Sequence, residues 1–190
     1  SNKAITSWEN KNAEALMNRL SSMQSTYKKY ELNFLPKPTA KFVLLHTFSH
    51  LLIRQLSFEC GYSSSALRER IYCDDSEMSG IMIYTADSDS EGALGGLVRQ
   101  GKADRFVPTV LTALERGSWC SSDPVCRELP GQGMRELNRA ACHGCTLLSE
   151  TSCIAHNALL DRMLLLGKGE KSNYGFFNSV MDKYWKEITK

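Results

Sequence analysis

Residues 120–153, CSSDPVCRELPGQGMRELNRAACHGCTLLSETSC, hold five of the seven cysteines of this 190-residue chain. The "CHGC" pair lets two thiolates reach one tetrahedral ion from a tight turn, and a second pair from elsewhere would complete the shell. Gly144 suits such a turn because glycine permits positive φ. The segment therefore predicts a metal site with five candidates for four positions: Cys120, Cys126, Cys142, Cys145 and Cys153.

Zinc is the predicted cofactor, because thiolate-rich tetrahedral sites select zinc or an iron–sulfur cluster and zinc needs no assembly machinery. The iron–sulfur alternative stays open at this stage, as do unligated cysteines and a redox Cys-x-x-Cys. A disulfide framework is disfavoured by the odd number of seven cysteines. A zinc ion with four thiolates has no open position, which favours a structural role in which metal binding and folding are coupled.

The composition, with 42% hydrophobic and 23% charged residues, predicts one hydrophobic core. A net charge of +2 is too small to indicate nucleic acid binding by itself. No apolar run is long enough to cross a bilayer and no signal peptide is evident, so a cytoplasmic protein is expected. The opening Ser1-Asn2 suggests a tag remnant, followed by an N-terminal helix and connector over 3–38 and a zinc-binding domain over 39–190.

Hydrophobic periodicity predicts an α/β (α+β) fold with several helices, a small mixed sheet and a zinc-clamped, cysteine-rich segment. We expect a long, deeply buried second helix that Gly61 ends, and a buried strand at "GIMIYTA". The predicted helices cover residues 8–31, 39–58 and 108–116 and the segments "AHNALLDRMLLL" and "FFNSVMDKYWKEI". Residues 67–73 and 80–86 are both β-branched and aromatic and too short for a helix, and at least the second of them is predicted to be a strand.

A second group of polar residues has two interpretations. His46 and His50 lie four residues apart and share a helix face, and the loop after the second strand carries Asp87, Asp89 and Glu91. These residues could form a second metal site or a hydrolase acting on a phosphodiester. The favoured alternative is structural, with histidines that satisfy buried polar groups and acidic residues that cap the next helix.

Arg99, Lys102 and Arg105 form a local basic group beside a glycine-rich turn. Such a group could attract DNA phosphates without sequence preference, or bind an acidic partner, although a solvated surface is the more common explanation. The sequence has no phosphate-binding loop of the G-x-x-x-x-G-K-[ST] type, so this chain is not expected to be an ATP-driven motor.

Four stretches together resemble a known family: "HTFSHLLIRQLSFECGYSSSALRERIY", "GIMIYTADSDSEGALGGLVRQG", "WCSSDPVC" and "AACHGCTLLSETSCIAHNALLDRMLLLG". Across roughly residues 40 to 167, the chain is similar to the C-terminal zinc-binding domain of MrfA-type DNA-repair helicases and, within that family, to the DrmB subunits of the DISARM anti-phage defence system. The resemblance implies that Cys142, Cys145 and Cys153 are ligands, with Cys120 or Cys126 as the fourth.

The resemblance further implies a non-catalytic zinc module that supports DNA binding and complex assembly beside a helicase-type protein subunit. We expect no membrane partner and no small-molecule substrate. The two alternatives from other functional classes are the hydrolase described above and a protein-interaction module that uses the apolar face of the last helix.

Overall fold

The computed structural model describes residues 1–63, 65–74, 78–86, 94–167 and 173–188. Within these ranges the chain forms eight α-helices and one two-stranded antiparallel sheet, which confirms the mixed α+β class. The sheet is narrower than the mixed sheet expected, because both described strands belong to one hairpin. The elements are α1 (Asn2–Lys11), α2 (Ala13–Lys29), α3 (Ala40–Cys60), β1 (Leu67–Cys73), β2 (Ser79–Thr85), α4 (Leu94–Gln100), α5 (Ala103–Gly117), α6 (Val125–Glu128), α7 (Met163–Leu166) and α8 (Asn178–Ile188).

Helix α3 forms the centre of the fold. It begins where the Thr39 hydroxyl accepts a hydrogen bond from the backbone N–H of Phe42 at 3.1 Å, and it ends at Gly61 in the left-handed region with φ 73°. Most of its side chains are buried, since the helix packs against the hairpin, α5 and α7. The prediction of a deeply buried helix ended by Gly61 is confirmed.

The hairpin covers one side of α3. Strands β1 and β2 pair in a register that places Leu67 opposite Thr85 and Ile71 opposite Ile81. Strand β2 is half-buried and not buried as expected, because its outer face, including Met82 and Tyr84, is in contact with solvent. Apolar residues dominate "GIMIYTA" on both faces, so the composition alone could not show that only one face is covered.

The N-terminal segment forms two helices and not the single helix predicted, with a break at Asn12. Both helices contribute to the same hydrophobic core as α3, through residues such as Ile5 and Leu20. The Trp8 indole N–H donates to the backbone carbonyl of Tyr174 at 2.6 Å, so α1 contacts the segment between α7 and α8. The division of the chain at residue 38 stays a prediction.

The predicted helix in "AHNALLDRMLLL" is wrong over most of its length, since only α7 is helical there. His156, Asn157 and Leu159 have positive φ values of 51°, 56° and 61°, which no right-handed helix contains. Side-chain amides satisfy this irregular backbone, as where Asn138 Oδ1 accepts from the N–H of Leu160 at 3.0 Å. Burial on all sides explains the run of apolar residues without a helix.

Helices α5 and α8 bear on two expectations from the sequence: where the helix near Pro108 begins, and what covers the apolar face of the last helix. Helix α5 begins at Ala103, five residues before the predicted start at Pro108. The apolar face of α8 and the turn before it pack on this domain, with the Phe177 ring 5.0 Å from that of Phe48 and with Met181 buried.

Among the described residues, no helix is both long and apolar enough to span a membrane.

A buried ion pair joins α2 to the segment that leads into α7. Arg19 Nε and Nη2 donate to the two carboxylate oxygens of Asp161 at 2.6 and 2.8 Å. Asp161 Oδ1 also accepts the N–H of Met163 at 3.0 Å, and both charged side chains are almost completely buried. Such a pair stabilises the fold only while both partners are present.

We expect Arg19→Met to lower the free energy of unfolding by about 3–5 kcal/mol, because it leaves the buried carboxylate of Asp161 without its partner. Denaturant unfolding monitored by circular dichroism measures the change. Lys28→Met is the matched control, because Lys28 is exposed on the same helix and its loss is expected to change stability by less than about 0.5 kcal/mol. Equal effects of the two substitutions would contradict the structural role of the pair.

Candidate metal centre

Four cysteines from two turns bring their sulfur atoms together. Cys120 and Cys126 flank the start of α6, and Cys142 and Cys145 occupy the "CHGC" turn. The Sγ–Sγ distances are 3.5 Å for Cys120–Cys142, 3.7 Å for Cys142–Cys145 and 3.8 Å for Cys126–Cys145, and all four sulfurs lie within 4.8 Å of one another. We refer to these four residues as the four-cysteine cluster.

The spacing fits a tetrahedral zinc ion. A Zn–S bond of about 2.3 Å requires sulfur atoms roughly 3.8 Å apart along the edges of the tetrahedron. The distances of 3.5, 3.7 and 3.8 Å are close to that value. Four sulfur donors fill four positions, so the arrangement suits a closed structural site and leaves no position for a reacting water.

The electrostatics of the cluster also favour a cation. Burial and the neighbouring Cys145 raise the pKa of the Cys126 thiol, and burial raises the pKa of Cys145. Burial opposes ionisation of Cys142 as well, but hydrogen bonds from Cys120 and from the Gly144 backbone outweigh it and lower its pKa to about 7. Four thiolates therefore require a compensating positive charge, which a divalent ion supplies.

Gly144 does not adopt the left-handed conformation predicted for it. Among the described glycines, positive φ values occur at Gly61, Gly133 and Gly167 and not at Gly144. A Cβ atom at this position would lie 3.6 Å from the sulfur atoms of Cys120 and Cys142 and 3.4 Å from the Ser121 hydroxyl. These are ordinary van der Waals distances, so the space around this position does not explain the glycine.

Arg162 holds the two turns of the cluster in place. Its fully buried guanidinium donates to both carboxylate oxygens of Asp123 at 2.5 and 2.7 Å, and to the backbone carbonyls of Ala140 at 2.9 Å and Gly117 at 3.0 Å. Asp123 in turn accepts the N–H of Cys120 at 2.9 Å. One side chain therefore links the end of α5, the first cysteine turn and the segment that leads into the second.

Helix α3 supports the second turn from the other side. Arg54 donates to the backbone carbonyls of Gly144 at 3.0 Å and Leu147 at 3.1 Å, with a longer contact to that of His143 at 3.4 Å. Its guanidinium is committed to the "CHGC" turn. Arg54 is therefore a structural residue of the candidate site.

Cys153 lies in a different set of residues from Cys142 and Cys145, with which the resemblance groups it. Its Sγ is 3.1 Å from His46 Nε2, which is also 3.1 Å from Glu69 Oε1. His50 Nε2 lies 3.5 Å from the same carboxylate oxygen, and the four donor atoms are within 4.8 Å of one another. We refer to His46, His50, Glu69 and Cys153, all buried, as the His-Glu-Cys cluster.

The ionisation of this cluster is strongly perturbed. Burial opposes the charged forms, but Glu69 and Cys153 outweigh it and raise the pKa of His46 to about 10. The pKa of His50 is raised as well, while that of Glu69 is lowered below its usual range because the histidines outweigh its burial. In the same way, the two histidines outweigh burial and lower the pKa of Cys153 to about 6. The cluster therefore favours a thiolate at Cys153 and a carboxylate at Glu69, both facing positive charge on the histidine side.

The second site expected from sequence combined His46 and His50 with Asp87 and Asp89. Those two aspartates, like Glu91, lie outside the described residues. The carboxylate that the structure brings to the histidines is Glu69, which the sequence reasoning missed. A signal was present, because the inward-facing position between Leu67 and Ile71 in an alternating strand is usually apolar.

The basic group lies at the junction of α4 and α5. Arg99 is in the last turn of α4, Lys102 precedes α5 and Arg105 is in its first turn, and all three are exposed. The junction is fixed to α3 by Glu59, whose Oε2 accepts from Gln100 Nε2 and from the Thr109 hydroxyl, both at 2.6 Å. In the described part of the chain, none of the three cations forms an ion pair.

An aromatic groove lies beside the four-cysteine cluster. Phe58 at the end of α3 and Trp119 are 70% and 65% exposed, and the Arg116 guanidinium stacks over the Phe58 ring at 4.4 Å. The same groove is lined by Cys120 and His143. Sequence reasoning missed this surface, since exposure of an aromatic side chain depends on the tertiary fold.

The chain matches the family model of the MrfA Zn-binding domain over residues 48–146. It is 46% identical over 140 residues to the DISARM protein DrmB of Bacillus paralicheniformis, an alignment that covers 74% of this chain and 25% of that protein. The chain thus spans about a quarter of the length of this relative. The predicted family and the predicted zinc cofactor are confirmed, and the four-cysteine cluster lies entirely inside the matched range.

We expect Arg162→Met to weaken zinc binding by about 10–100-fold, because it releases Asp123 and with it the orientation of Cys120. Competition with a chromophoric chelator of known affinity measures the change. Arg127→Met is the control, because Arg127 lies beside Cys126 and makes no hydrogen bond to the cluster within the described residues. Zinc affinity that is the same in both variants would show that Arg162 does not organise the site.

Proposed function

The chain belongs to the MrfA Zn-binding domain family, and on that premise we propose that Cys120, Cys126, Cys142 and Cys145 hold its zinc ion. The observation that carries the proposal is the tetrahedral spacing of the four sulfur atoms, which lie within 4.8 Å of one another. Their position inside the residues matched by the family model supports the same assignment. Zinc bound there would supply folding energy, since four thiolates saturate the ion.

The role that follows is non-catalytic. Between α5 and α7 the described chain has only α6 and two short 3₁₀ turns, so regular backbone hydrogen bonding holds little of it together. A bound zinc ion would fix the turns at Cys120 and Cys142 relative to each other, and Arg162 and Arg54 would connect them to the helices. The metal therefore serves as a scaffold for the surface next to it.

We expect Ser substitution of any one of the four cysteines to remove one equivalent of zinc per chain and to expose residues 118–147 to amide hydrogen exchange. Plasma mass spectrometry of the purified protein measures the metal, and mass spectrometry of exchanged peptides measures protection. Cys60→Ser and Cys73→Ser are matched controls, because both cysteines are outside the two clusters. Full zinc content in Cys142→Ser would contradict the ligand assignment.

The relative named a DISARM protein suggests the biological setting. We propose that this chain acts in a DISARM-type anti-phage defence system, where it supports DNA binding and assembly with a helicase-type subunit. The match to the MrfA Zn-binding domain model, together with the sequence resemblance to MrfA-type helicases, supports this role. The sequence contains no phosphate-binding loop motif, so ATP hydrolysis would be the task of the partner.

Two groups of exposed residues, one near each end of α5, favour single-stranded DNA as the ligand. Arg105 and Arg116 are eleven residues apart, which places them on the same helix face at a separation of roughly 16 Å. The basic group lies at one end of this face, and Phe58 and Trp119 lie at the other. Cations that track the backbone and aromatic rings on which bases stack are the combination that single-strand binding proteins use.

We expect the triple variant Arg99→Gln, Lys102→Gln, Arg105→Gln to reduce the slope of log affinity against log salt by about 2, since each lost phosphate contact on a single strand removes about 0.7. Trp119→Ala should weaken binding by about 1–3 kcal/mol and leave the slope unchanged, because stacking releases no counterions. Fluorescence anisotropy of a labelled oligonucleotide at several salt concentrations measures both quantities.

The matched control is Lys3→Gln, Lys11→Gln, Lys28→Gln, which removes the same charge from exposed positions on α1 and α2. Its salt slope should stay at the wild-type value. A slope that falls equally in both triple variants would show that only net charge matters. Absence of binding to any oligonucleotide at low salt would refute the DNA role and leave protein assembly as the function.

A further inference from the structure

We propose that His46, His50, Glu69 and Cys153 bind a second divalent metal ion of the zinc type, in addition to the ion assigned to the four-cysteine cluster. The site joins α3, β1 and the loop before α7, and each of its four side chains is buried. The proposal requires that Cys153 is not a ligand of the first ion, and the geometry supports this, since the two clusters have no residue in common.

Both histidines are oriented as metal ligands are. His46 Nδ1 lies 3.2 Å from the carbonyl oxygen of Leu159, and His50 Nδ1 lies 3.0 Å from that of Thr146. A carbonyl oxygen can only accept, so each Nδ1 carries the proton and donates it. Each Nε2 faces Glu69 and Cys153, and once an ion replaced its proton the Nε2 lone pair would point at that ion, which is the arrangement found around metal-bound histidine.

Two atoms of the cluster lack hydrogen-bond partners in the described part of the chain. His50 Nε2 and Glu69 Oε2 are both inaccessible to solvent and both unsatisfied. Buried polar atoms are nearly always paired, so two unpaired atoms in one set point to a ligand between them. A cation would satisfy the lone pair of His50 and the charge of Glu69.

The sulfur of Cys153 is prepared to carry negative charge. It accepts backbone N–H groups from Ala155 at 3.3 Å and from Asn157 at 3.2 Å. Hydrogen bonds from N–H groups stabilise an anionic acceptor more than a neutral one. The positive φ of Asn157, 56°, is part of the loop conformation that directs these N–H groups at the sulfur.

Distances and charge both fit a four-coordinate ion. Zinc bonds of about 2.0–2.3 Å to nitrogen, oxygen and sulfur place neighbouring donors roughly 3.3–3.6 Å apart. The distances between donor atoms are 3.1, 3.1 and 3.5 Å. Two neutral imidazoles, one carboxylate, one thiolate and a divalent cation sum to zero charge, which is the condition for stable burial.

The donor set also selects the metal. Imidazole and thiolate ligands suit zinc and its substitute cobalt, whereas magnesium and calcium require oxygen ligands. With four protein donors the ion has no open position, so it would stabilise the junction between α3 and the hairpin. The His46 and His50 pair is then a structural ligand pair of α3.

Metal analysis of the 190-residue chain, purified without chelators, tests the proposal. We expect two zinc ions per wild-type chain and one in Cys153→Ser, in Glu69→Gln and in Cys142→Ser. The double variant Cys142→Ser, Cys153→Ser should contain none. Cys73→Ser and Glu150→Gln, an exposed carboxylate near the same loop, are the controls and should keep two.

X-ray absorption at the zinc edge of the wild-type protein provides a test that needs no variant to fold. Two ions in the two clusters give five sulfur donors and three nitrogen or oxygen donors in total. A single ion with four sulfur donors, lost in Cys142→Ser and kept in Cys153→Ser, would overturn the second site. A single ion lost in Cys153→Ser and kept in Cys142→Ser would instead overturn the assignment to the four-cysteine cluster and leave the His-Glu-Cys cluster as the metal site.

Discussion

Mutual repulsion of four thiolates is the constraint on which the cysteine-rich segment of this fold depends. Sulfurs 3.5–3.8 Å apart, with three of the four cysteines buried, can all ionise only around a cation. Without it, the pKa of Cys126 stays raised and the four sulfur atoms cannot all carry charge at this spacing. Arg162 cannot replace the metal, because its guanidinium is committed to Asp123 and to backbone carbonyls. Arg162 fixes the positions of the two turns, and the ion would fix the distances between their sulfur atoms.

The two clusters are connected through α3 and a single threonine. His50 donates to the carbonyl of Thr146, and the Thr146 hydroxyl donates to the sulfur of Cys145 at 3.2 Å. A shift of α3 therefore reaches the four-cysteine cluster through two hydrogen bonds, and the contacts of Arg54 with the same turn act in parallel. The groove that contains Phe58 and Trp119 is also lined by Arg54 and Cys145, so its shape depends on the four-cysteine cluster and on its support from α3.

How much the sequence could predict depends on how local each feature is. The limits of α3 follow from Thr39 and Gly61, and the "CHGC" turn follows from its spacing, so both could be predicted. The partner of Cys153 could not, because Glu69 comes from a strand 84 residues earlier and only the tertiary fold brings the two together. The helix predicted near residue 160 is wrong for a related reason. An irregular segment that is buried on every side is as apolar as a buried helix, so its composition does not distinguish the two. Side-chain amides form the hydrogen bonds that a helix would otherwise provide.

His46, His50 and Arg54 are spaced four residues apart on α3, so one stripe of this helix serves both clusters. Inserting or deleting one residue in a helix rotates the side chains that follow by roughly 100° about the helix axis, relative to those that precede. One insertion or deletion between His46 and Arg54 would place these two side chains on different faces of α3, and a change in the loops could not return both to their clusters. Evolution can exchange side chains on the remaining faces of this helix, but between His46 and Arg54 its length is held constant by geometry.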